Sequence, residues 1–146
     1  MRRLALMSLL ALIGCHDHVA TCADDLHGVW RAPDGAPWMI LDNGPVLEGY
    51  PLFADTPPQS SDDHELVAAP RALDLTRSKA GLTGSFVRRY ERRRGNCEAH
   101  SPVHIESCHD DTLELVTGEL PQPIAVAPCR WSVAAPSHLE RWHRLH

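Results

Sequence analysis

The chain has 146 residues, a length typical of one domain, and its 19 acidic residues outnumber its 14 lysine and arginine residues to give a net charge of −5. A chain of this size buries roughly two-thirds of the surface that it exposes when unfolded, which is enough for one hydrophobic core. Proteins that bind nucleic acid carry a basic face, so the acidic balance predicts no nucleic-acid partner.

The N-terminus has the pattern of an export signal. Arg2 and Arg3 provide a positive segment, and Leu4–Ile13 is apolar apart from one serine. This apolar run is much shorter than the roughly 20 residues that span a bilayer, which distinguishes a signal peptide from a membrane-spanning helix. The sequence therefore predicts a protein that is exported to an oxidising compartment.

The signal ends in Leu12-Ile13-Gly14-Cys15, which resembles the lipobox of bacterial lipoproteins. That resemblance implies cleavage before Cys15 and acylation of both its thiol and its new amino group. Cys15 would then be the lipid-bearing first residue, residues 1–14 the signal peptide, residues 15–25 a tether and residues 26–146 a single domain. An ordinary secretory signal with an incidental cysteine is the alternative.

Attachment to the membrane is expected to depend on the lipid alone. Removing the two positive charges of Arg2 and Arg3 takes the net charge from −5 to −7, so the domain has no attraction to anionic lipids. Three acyl chains exceed the two signals that stable anchoring requires. His16, rather than aspartate, follows the lipid-bearing cysteine. The resemblance therefore implies the outer membrane, on its periplasmic or its outer face.

Beyond the tether, short apolar runs alternate with turn residues and predict β-strands. Twelve prolines and nine glycines leave almost no uninterrupted window for a helix. Pro33-Asp34-Gly35 and Asp42-Asn43-Gly44 predict two hairpins near the start of the domain. The candidate strands are Gly28–Arg31, Pro37–Leu41, Val46–Phe53, Leu73–Thr76, Leu82–Arg93, Val103–Glu106, Thr112–Leu115, Ile124–Val126 and Leu139–Leu145.

The last of these candidates has two interpretations. Ser137 and Glu140 match a capping box and would begin a short helix, whereas the alternation along Leu139–Leu145 favours a strand. We predict the strand. Several of the candidate strands have one apolar and one polar face, and packing many of them together limits exposed strand edges. The sequence therefore predicts a mostly β domain, either a small antiparallel barrel or a sandwich.

Gly28-Val29-Trp30 on the first strand and an arginine on the last, Arg141 or Arg144, resemble the lipocalin arrangement. In that family the tryptophan closes the floor of a β-barrel beneath the arginine. The resemblance implies a lipocalin-like barrel with an internal cavity for a small apolar ligand. A small antiparallel β-domain of another topology is the alternative.

The cysteine count agrees with an exported and lipidated chain. Five cysteines is an odd number, but assigning Cys15 to lipid leaves four in an oxidising compartment, which predicts two disulfides. Three connectivities are possible. We expect Cys97–Cys108, which closes a short local loop, and Cys22–Cys129, which ties the N-terminal segment to the late chain.

Ten histidines are the clearest excess in the composition. Cys97, His100, His104, Cys108 and His109 are residue types that bind zinc, but thiols outside the cytosol are more often oxidised than bound to metal. His100, His104 and His109 therefore stay weak metal candidates, and solvated surface histidines are the favoured interpretation. The sequence predicts no cofactor.

Arg88–Arg94 is the one basic block of the chain. On a strand, Arg88, Tyr90 and Arg92 would share a face. Guanidinium groups beside an aromatic ring can hold a phosphate or an acidic sugar, so Arg88, Arg92 and Arg94 are candidate anion-binding residues. The favoured alternative is a solvated face on which these arginines pair with the chain's own carboxylates, as charged residues often do on edge strands.

The sequence contains no G-x-S-x-G or H-E-x-x-H motif and no glycine-rich phosphate loop. It therefore predicts a non-enzymatic, lipid-anchored envelope protein, a binding or structural module whose partner would be another envelope protein or a glycan. The alternative is a carrier of a small apolar ligand, or of a metal ion through surface histidines. A carrier needs an open barrel, whereas in a structural module Trp30, Trp38, Leu73 and Leu113 would fill the interior.

Overall fold

The computed structural model describes residues 22, 25–53, 67–92, 95–126 and 129–146. Regular secondary structure in these residues is entirely β, as the sequence predicts. The strands are β1 (Gly28–Arg31), β2 (Pro37–Asp42), β3 (Val46–Pro51), β4 (Val67–Ala68), β5 (Ala72–Ser78), β6 (Gly81–Arg92), β7 (Gly95–His109), β8 (Thr112–Thr117), β9 (Pro123–Val126), β10 (Cys129–Trp131) and β11 (His138–Leu145).

Eight of these strands form a closed antiparallel barrel. Around it, β1, β2, β3, β5, β6, β7, β8 and β11 each pair with the next, and β11 pairs with β1. The prediction of a small antiparallel barrel or sandwich is therefore confirmed in its barrel form. Closing the sheet removes the unpaired edges that an open sheet would expose to other chains.

Three short strands lie outside this ring. β4 pairs with the last part of β6, where Ala68 is opposite Tyr90. β9 and β10 form a separate two-stranded sheet. The predicted strand Ile124–Val126 is thus present as part of β9, but it is not a strand of the barrel.

The two predicted hairpins form where their turn residues require them. Gly35, between β1 and β2, has a φ of 86°, and Gly44, between β2 and β3, has a φ of 81°. Both lie in the left-handed region that glycine adopts without strain. The Asp42 side chain accepts a hydrogen bond from the Gly44 N–H at 2.9 Å and fixes the second turn.

Strand β7 is much longer than its candidate Val103–Glu106, because its first half carries no apolar alternation that a sequence pattern could detect. Gly95–Pro102 nevertheless pairs residue by residue with β6, so the partner strand imposes the extended conformation. The interpretation of Leu139–Leu145 as a strand is confirmed. Within β11, Trp142 faces the barrel interior and is fully buried, whereas its neighbours Arg141 and His143 are exposed.

The centre of the barrel is filled by three aromatic rings. Trp38 lies 5.2 Å from Trp142 and 5.7 Å from Phe86, and the rings of Phe86 and Trp142 are 6.2 Å apart, measured between centroids. All three side chains are at most 2% exposed. The core around them consists of buried aliphatic side chains together with Trp30: Leu26, Ile40, Leu47, Leu73, Leu75, Leu82, Val103, Ile105, Leu113 and Leu115.

The two ends of the barrel differ in the length of their connections. At one end, which we call the turn end, residues 43–45, 79–80 and 110–111 join neighbouring strands, and the chain enters β1 and leaves β11 there. At the opposite end, which we call the loop end, two long connections cover residues 52–71 and 118–137 and contain β4 and the β9–β10 sheet. The ends therefore offer surfaces of different size and composition.

Two disulfides form, as predicted, but with a different connectivity. Cys22 bonds to Cys108 and Cys97 to Cys129, with Cα–Cα distances of 5.5 Å and 6.0 Å. The expected pairs Cys97–Cys108 and Cys22–Cys129 are wrong. Cys97 and Cys108 occupy opposite ends of the single strand β7, about 35 Å apart at the usual rise per residue, and no disulfide can bridge such a distance.

The disulfide of Cys22 also shortens the predicted tether of residues 15–25. Cys22 is 5% exposed and belongs to the main core, so the N-terminal segment joins the barrel at this residue. Asp25, three residues later, accepts a hydrogen bond on its backbone carbonyl from Arg144. Residues 16–21 separate the proposed lipid-bearing cysteine from Cys22, the first of the described residues.

Candidate binding site at the loop end

The turn end of the barrel is closed by Trp30 and Arg144, which lie opposite each other on β1 and β11. The Trp30 ring is fully buried, and its indole N–H donates to the Leu26 carbonyl at 2.9 Å. The Arg144 guanidinium lies 4.8 Å from the centroid of that ring and donates to the Asp25 carbonyl at 2.6 Å. Of the two arginines expected to cover Trp30, the one that does so is Arg144, since Arg141 points outward and pairs with Glu114.

An ion pair completes this closure. The Asp42 carboxylate accepts hydrogen bonds from the Arg77 guanidinium at 2.9 Å and from the backbone N–H groups of Leu26 and Gly44. Burial alone would raise the pKa of Asp42, but the hydrogen bonds from Arg77, Leu26 and Gly44 outweigh burial and lower it. The turn end thus has a carboxylate whose acceptor positions are occupied, and it functions as a structural closure.

The loop end places charged groups above the aromatic centre of the barrel. The Arg71 guanidinium lies 4.5 Å from the Phe86 ring centroid and 5.0 Å from that of Trp38. Arg88 follows Phe86 on the same face of β6 and is 7% exposed. These two cations share the barrel end at which the long connections join the strands.

A carboxylate lies at the same end of the barrel. Glu140 is one inward position from Trp142 on β11, and its side chain is 15% exposed. One carboxylate oxygen accepts from the Trp142 indole N–H at 2.9 Å, and the other is 3.2 Å from the His138 Nε2. We call Arg71, Arg88 and Glu140 the charged layer. Such a layer can recognise a small anionic or zwitterionic group, because guanidinium groups bind carboxylates and phosphates in defined geometry.

One buried donor lies in the same region. The Trp38 indole N–H has no hydrogen-bond acceptor among the described residues, although the Trp38 side chain is only 2% exposed. A buried N–H group without an acceptor is unfavourable by about 1–3 kcal/mol. A water molecule or a ligand oxygen would relieve that penalty.

The structure places the predicted anion-binding residues differently from the sequence interpretation. Arg88 and Tyr90 share a face, as expected, but that face is the barrel interior, so Arg88 does not lie on an exposed surface. Arg89 faces outward and pairs with Glu98 at 2.8 Å. The backbone of Arg92 pairs with Gly95. Arg94 and the side chain of Arg92 lie outside the described residues.

Sequence reasoning missed Arg71 and Glu140. Arg71 lies just before β5 and outside every candidate strand, so no periodicity indicates that its side chain enters the barrel. Glu140 is in a predicted strand, and its alternation with Trp142 was detectable as a shared face. A carboxylate on the same face as a fully buried tryptophan was the available signal.

The histidines that were metal candidates do not come together. His100 and His104 are exposed on the outer face of β7, beside Glu98 at 3.3 Å and Glu106 at 3.4 Å respectively. His109 lies at the turn end of the same strand, so neighbouring histidines are about 13–17 Å apart along it, too far to share one ion. Within the part of the chain that the structure describes, no three His, Cys, Asp or Glu side chains are arranged to hold a metal ion.

The loop end also carries a second, smaller core. Tyr90 packs on Trp131 of β10 with ring centroids 5.6 Å apart, and Cys97 and Ala99 lie beside it. Apolar side chains are exposed on the connections at this end: Leu52, Phe53, Ile124 and Val133. The loop end therefore combines buried charge with exposed apolar side chains, a composition found in binding surfaces.

No helix in the described residues is long and apolar enough to cross a bilayer. Comparisons of the chain with protein-family models, with curated proteins and with solved structures return no significant match. The functional interpretation of this barrel depends on its own residues.

Proposed function

We propose that the chain is a non-enzymatic, lipid-anchored lipoprotein of the cell envelope, in which a filled β-barrel serves as a rigid scaffold for a binding surface at its loop end. The observation that carries this proposal is the barrel interior. Trp30, Trp38, Leu73 and Leu113, the residues expected to fill a structural module, are each at most 2% exposed. Together with Phe86 and Trp142 they occupy the volume in which a carrier would hold its ligand.

A further observation supports a scaffold. The barrel is cross-linked by disulfides at both ends, because Cys22–Cys108 lies at the turn end and Cys97–Cys129 joins β10 to the loop-end half of β7. Disulfides of this kind stabilise small domains in oxidising compartments, which agrees with an exported chain. Binding is then assigned to the charged layer and the exposed apolar side chains around it, with an anionic glycan or another envelope protein as partner.

The lipid anchor at Cys15 is tested by fractionation and mass spectrometry. We expect Cys15→Ser to lose the mass of the acyl groups and to leave the membrane fraction, or to accumulate with its signal uncleaved. The matched control is Cys129→Ser, which opens a disulfide but leaves the lipobox intact and should stay acylated. A Cys15→Ser protein that keeps the mass and the membrane partition of the native protein would refute the anchor.

A carrier of a small apolar ligand is the second candidate. Two observations favour it: the contact of Arg144 with Trp30, which the lipocalin resemblance leads one to expect, and the unsatisfied Trp38 indole N–H. Carriage of a metal ion through surface histidines has no such support, because neighbouring metal candidates are far apart on β7.

A neutral apolar fluorescent probe, N-phenyl-1-naphthylamine, separates the two candidates, because it has no charge with which to bind the arginines of the charged layer. The filled barrel should give no saturable one-to-one binding to the native protein. Trp38→Ala removes a large side chain from the interior, so this variant should acquire binding if it keeps the native circular dichroism spectrum, as apolar cavities made by truncation do. Saturable binding to the native protein with quenching of its tryptophan fluorescence would favour the carrier and overturn the filled barrel.

A further inference from the structure

We infer that the turn end of the barrel faces the membrane and that the loop end, with the charged layer, points away from the bilayer. This inference rests on the lipid anchor proposed at Cys15. It assigns the turn end to the lipid surface that holds the anchor, and it assigns the loop end to a partner that approaches from the aqueous side. Three features of the chain carry it: the position of Cys22, the length of the segment before it and the directions of the strands.

The N-terminal segment joins the barrel at the turn end. Cys22 is bonded to Cys108, which is the second-last residue of β7, and β7 ends at the turn end. Leu26 is 2% exposed and its carbonyl holds the Trp30 indole N–H, so the next part of the segment also packs against this end. The chain therefore leaves the barrel toward the anchor from one defined place.

The connection to the anchor is short. Seven residue steps separate Cys15 from Cys22, and a fully extended chain covers at most about 3.4 Å per step, or about 24 Å in all. β6 runs between the two ends through twelve residues, which corresponds to about 30 Å along the barrel axis at the usual strand tilt. The tether can bring the turn end to the lipid surface, but it is too short to let the barrel invert.

The exposed charges of the turn end do not draw it to the membrane. Asp25, Asp110 and Asp111 are exposed there, and Lys79 is the only lysine of the chain. Acidic side chains gain nothing from anionic headgroups, so the contact depends on the acyl chains and not on surface charge. Attachment should accordingly be insensitive to salt, since screening acts on exposed charges within about 8 Å at physiological ionic strength.

The position of Lys79 provides a direct test. It lies between β5 and β6 at the turn end, and in the acylated protein its side chain is the single free amine. A donor fluorophore on Lys79 of the full acylated protein, placed in phosphatidylcholine vesicles that contain an acceptor lipid, reports the distance to the bilayer. The comparison protein carries Lys79→Arg and Arg130→Lys, which moves the label to β10 at the loop end, where Arg130 is exposed.

We expect energy transfer from Lys79 to be several-fold more efficient than from position 130, and to be unchanged in high salt. A barrel lying on its side is tested by labels at Met39→Lys on β2 and His104→Lys on β7, outward positions on opposite sides of the barrel, each with Lys79→Arg. An upright barrel gives equal transfer from these two positions. Unequal transfer, or equal transfer from positions 79 and 130, overturns the orientation.

Controls separate this inference from the proposed anchor. Lys79→Arg alone should accept no amine label, which shows that the N-terminal amine is acylated. Cys15→Ser produced without residues 1–14 should give no transfer from any position, because the protein then has neither acyl chains nor the apolar signal segment and no longer associates with the vesicles. Transfer that persists in Cys15→Ser refutes the anchor and with it the inference, whereas an acylated protein with the wrong pattern of transfer refutes the orientation alone.

Discussion

The turn end and the loop end of the barrel both combine charged side chains with aromatic rings, but the turn end is closed by them whereas the loop end offers them for binding. At the turn end, Asp42 is held by Arg77 and two backbone N–H groups, and Arg144 covers Trp30. At the loop end, Arg71 and Glu140 contact aromatic rings of the barrel centre, and the described parts of the long connections there expose apolar side chains. Closing interactions are thus found at the turn end, and chemistry suitable for recognition at the loop end.

Removal of the two disulfides, one at each end, should have the largest effect on stability and tests this comparison first. Cys22–Cys108 closes a loop with a sequence separation of 86 residues and Cys97–Cys129 one of 32. In the chain-entropy treatment these loops correspond to about 4.6 and about 3.7 kcal/mol respectively. We expect the double variant Cys22→Ala, Cys108→Ala to unfold at lower denaturant concentration than Cys97→Ala, Cys129→Ala.

Denaturant unfolding of both double variants beside the native protein measures this difference, with free-thiol titration to verify the bonds. The acylated native protein should show no free thiol, because its other four cysteines form the two disulfides. A larger loss from the Cys97–Cys129 pair would mean that the loop end, and not the turn end, dominates the stability of the barrel.

Removal of the Arg144 guanidinium should be the next largest effect. Arg144→Ala loses both the contact with the Trp30 ring and the hydrogen bond to the Asp25 carbonyl, so we expect a loss of about 2 kcal/mol in the free energy of unfolding. Arg141→Ala is the matched control on the same strand, because Arg141 is exposed and should matter little. Equal losses for the two variants would show that Arg144 does not close the barrel.

Asp42 should make the turn end sensitive to acid. Hydrogen bonds lower its pKa in the folded protein, so its contribution is present above the ordinary pKa of 3.8 and is lost as the pH falls through the folded value. Asp42→Asn should reduce stability at pH 7 by about 1–2 kcal/mol and flatten the decline between pH 5 and pH 2. Asp34→Asn, in an exposed turn, is the control. If the stability of Asp42→Asn fell with acid as steeply as that of the native protein, this carboxylate would not contribute to the closure.

Much of the fold could be predicted because turn residues act locally. Gly35 and Gly44 form the turns of their hairpins independently of the rest of the chain. The alternation of side chains along β11 likewise indicates which of its faces is buried. The first half of β7 could not be predicted, since Gly95–Pro102 extends only because β6 pairs with it. The prediction of the disulfide connectivity was wrong for the same reason. Cys97 and Cys108 cannot bond because they lie far apart on one long strand, and the length of that strand was not predictable.

The candidate site was predictable only in part. The face shared by Arg88 and Tyr90 follows from strand periodicity, but which face of β6 points into the barrel depends on closure of the whole sheet. Arg71 enters the barrel from a connection, where no periodicity exists. Site residues that several distant strands bring together leave no pattern in the sequence of any one of them.

Arg88 and Arg89 are neighbours on β6, but Arg88 is buried and Arg89 is exposed, so their variants compare a buried charge with an exposed one. Arg88 is 7% exposed, and replacing a buried charged group leaves its surroundings without the interactions it made. We expect Arg88→Gln to lower the free energy of unfolding by about 2 kcal/mol and, if the charged layer binds an anionic glycan, to weaken that binding. Loss of binding with unchanged stability would place Arg88 at the surface of the site and not within the core.

Arg89→Gln should have the smallest effect on stability, too small to move the unfolding midpoint, because Arg89 and Glu98 are exposed and solvent weakens their attraction. The change should instead appear at Glu98. A hydrogen bond from Arg89 lowers the pKa of Glu98, so Arg89→Gln should raise that pKa toward its ordinary value, as carbon-detected NMR titration would measure. Arg88→Gln should leave the titration of Glu98 unchanged, since Arg88 lies on the opposite face of the strand. A midpoint that falls in Arg89→Gln, and recovers in high salt, would show that the outer charges of β6 and β7 stabilise the barrel and are not merely solvated.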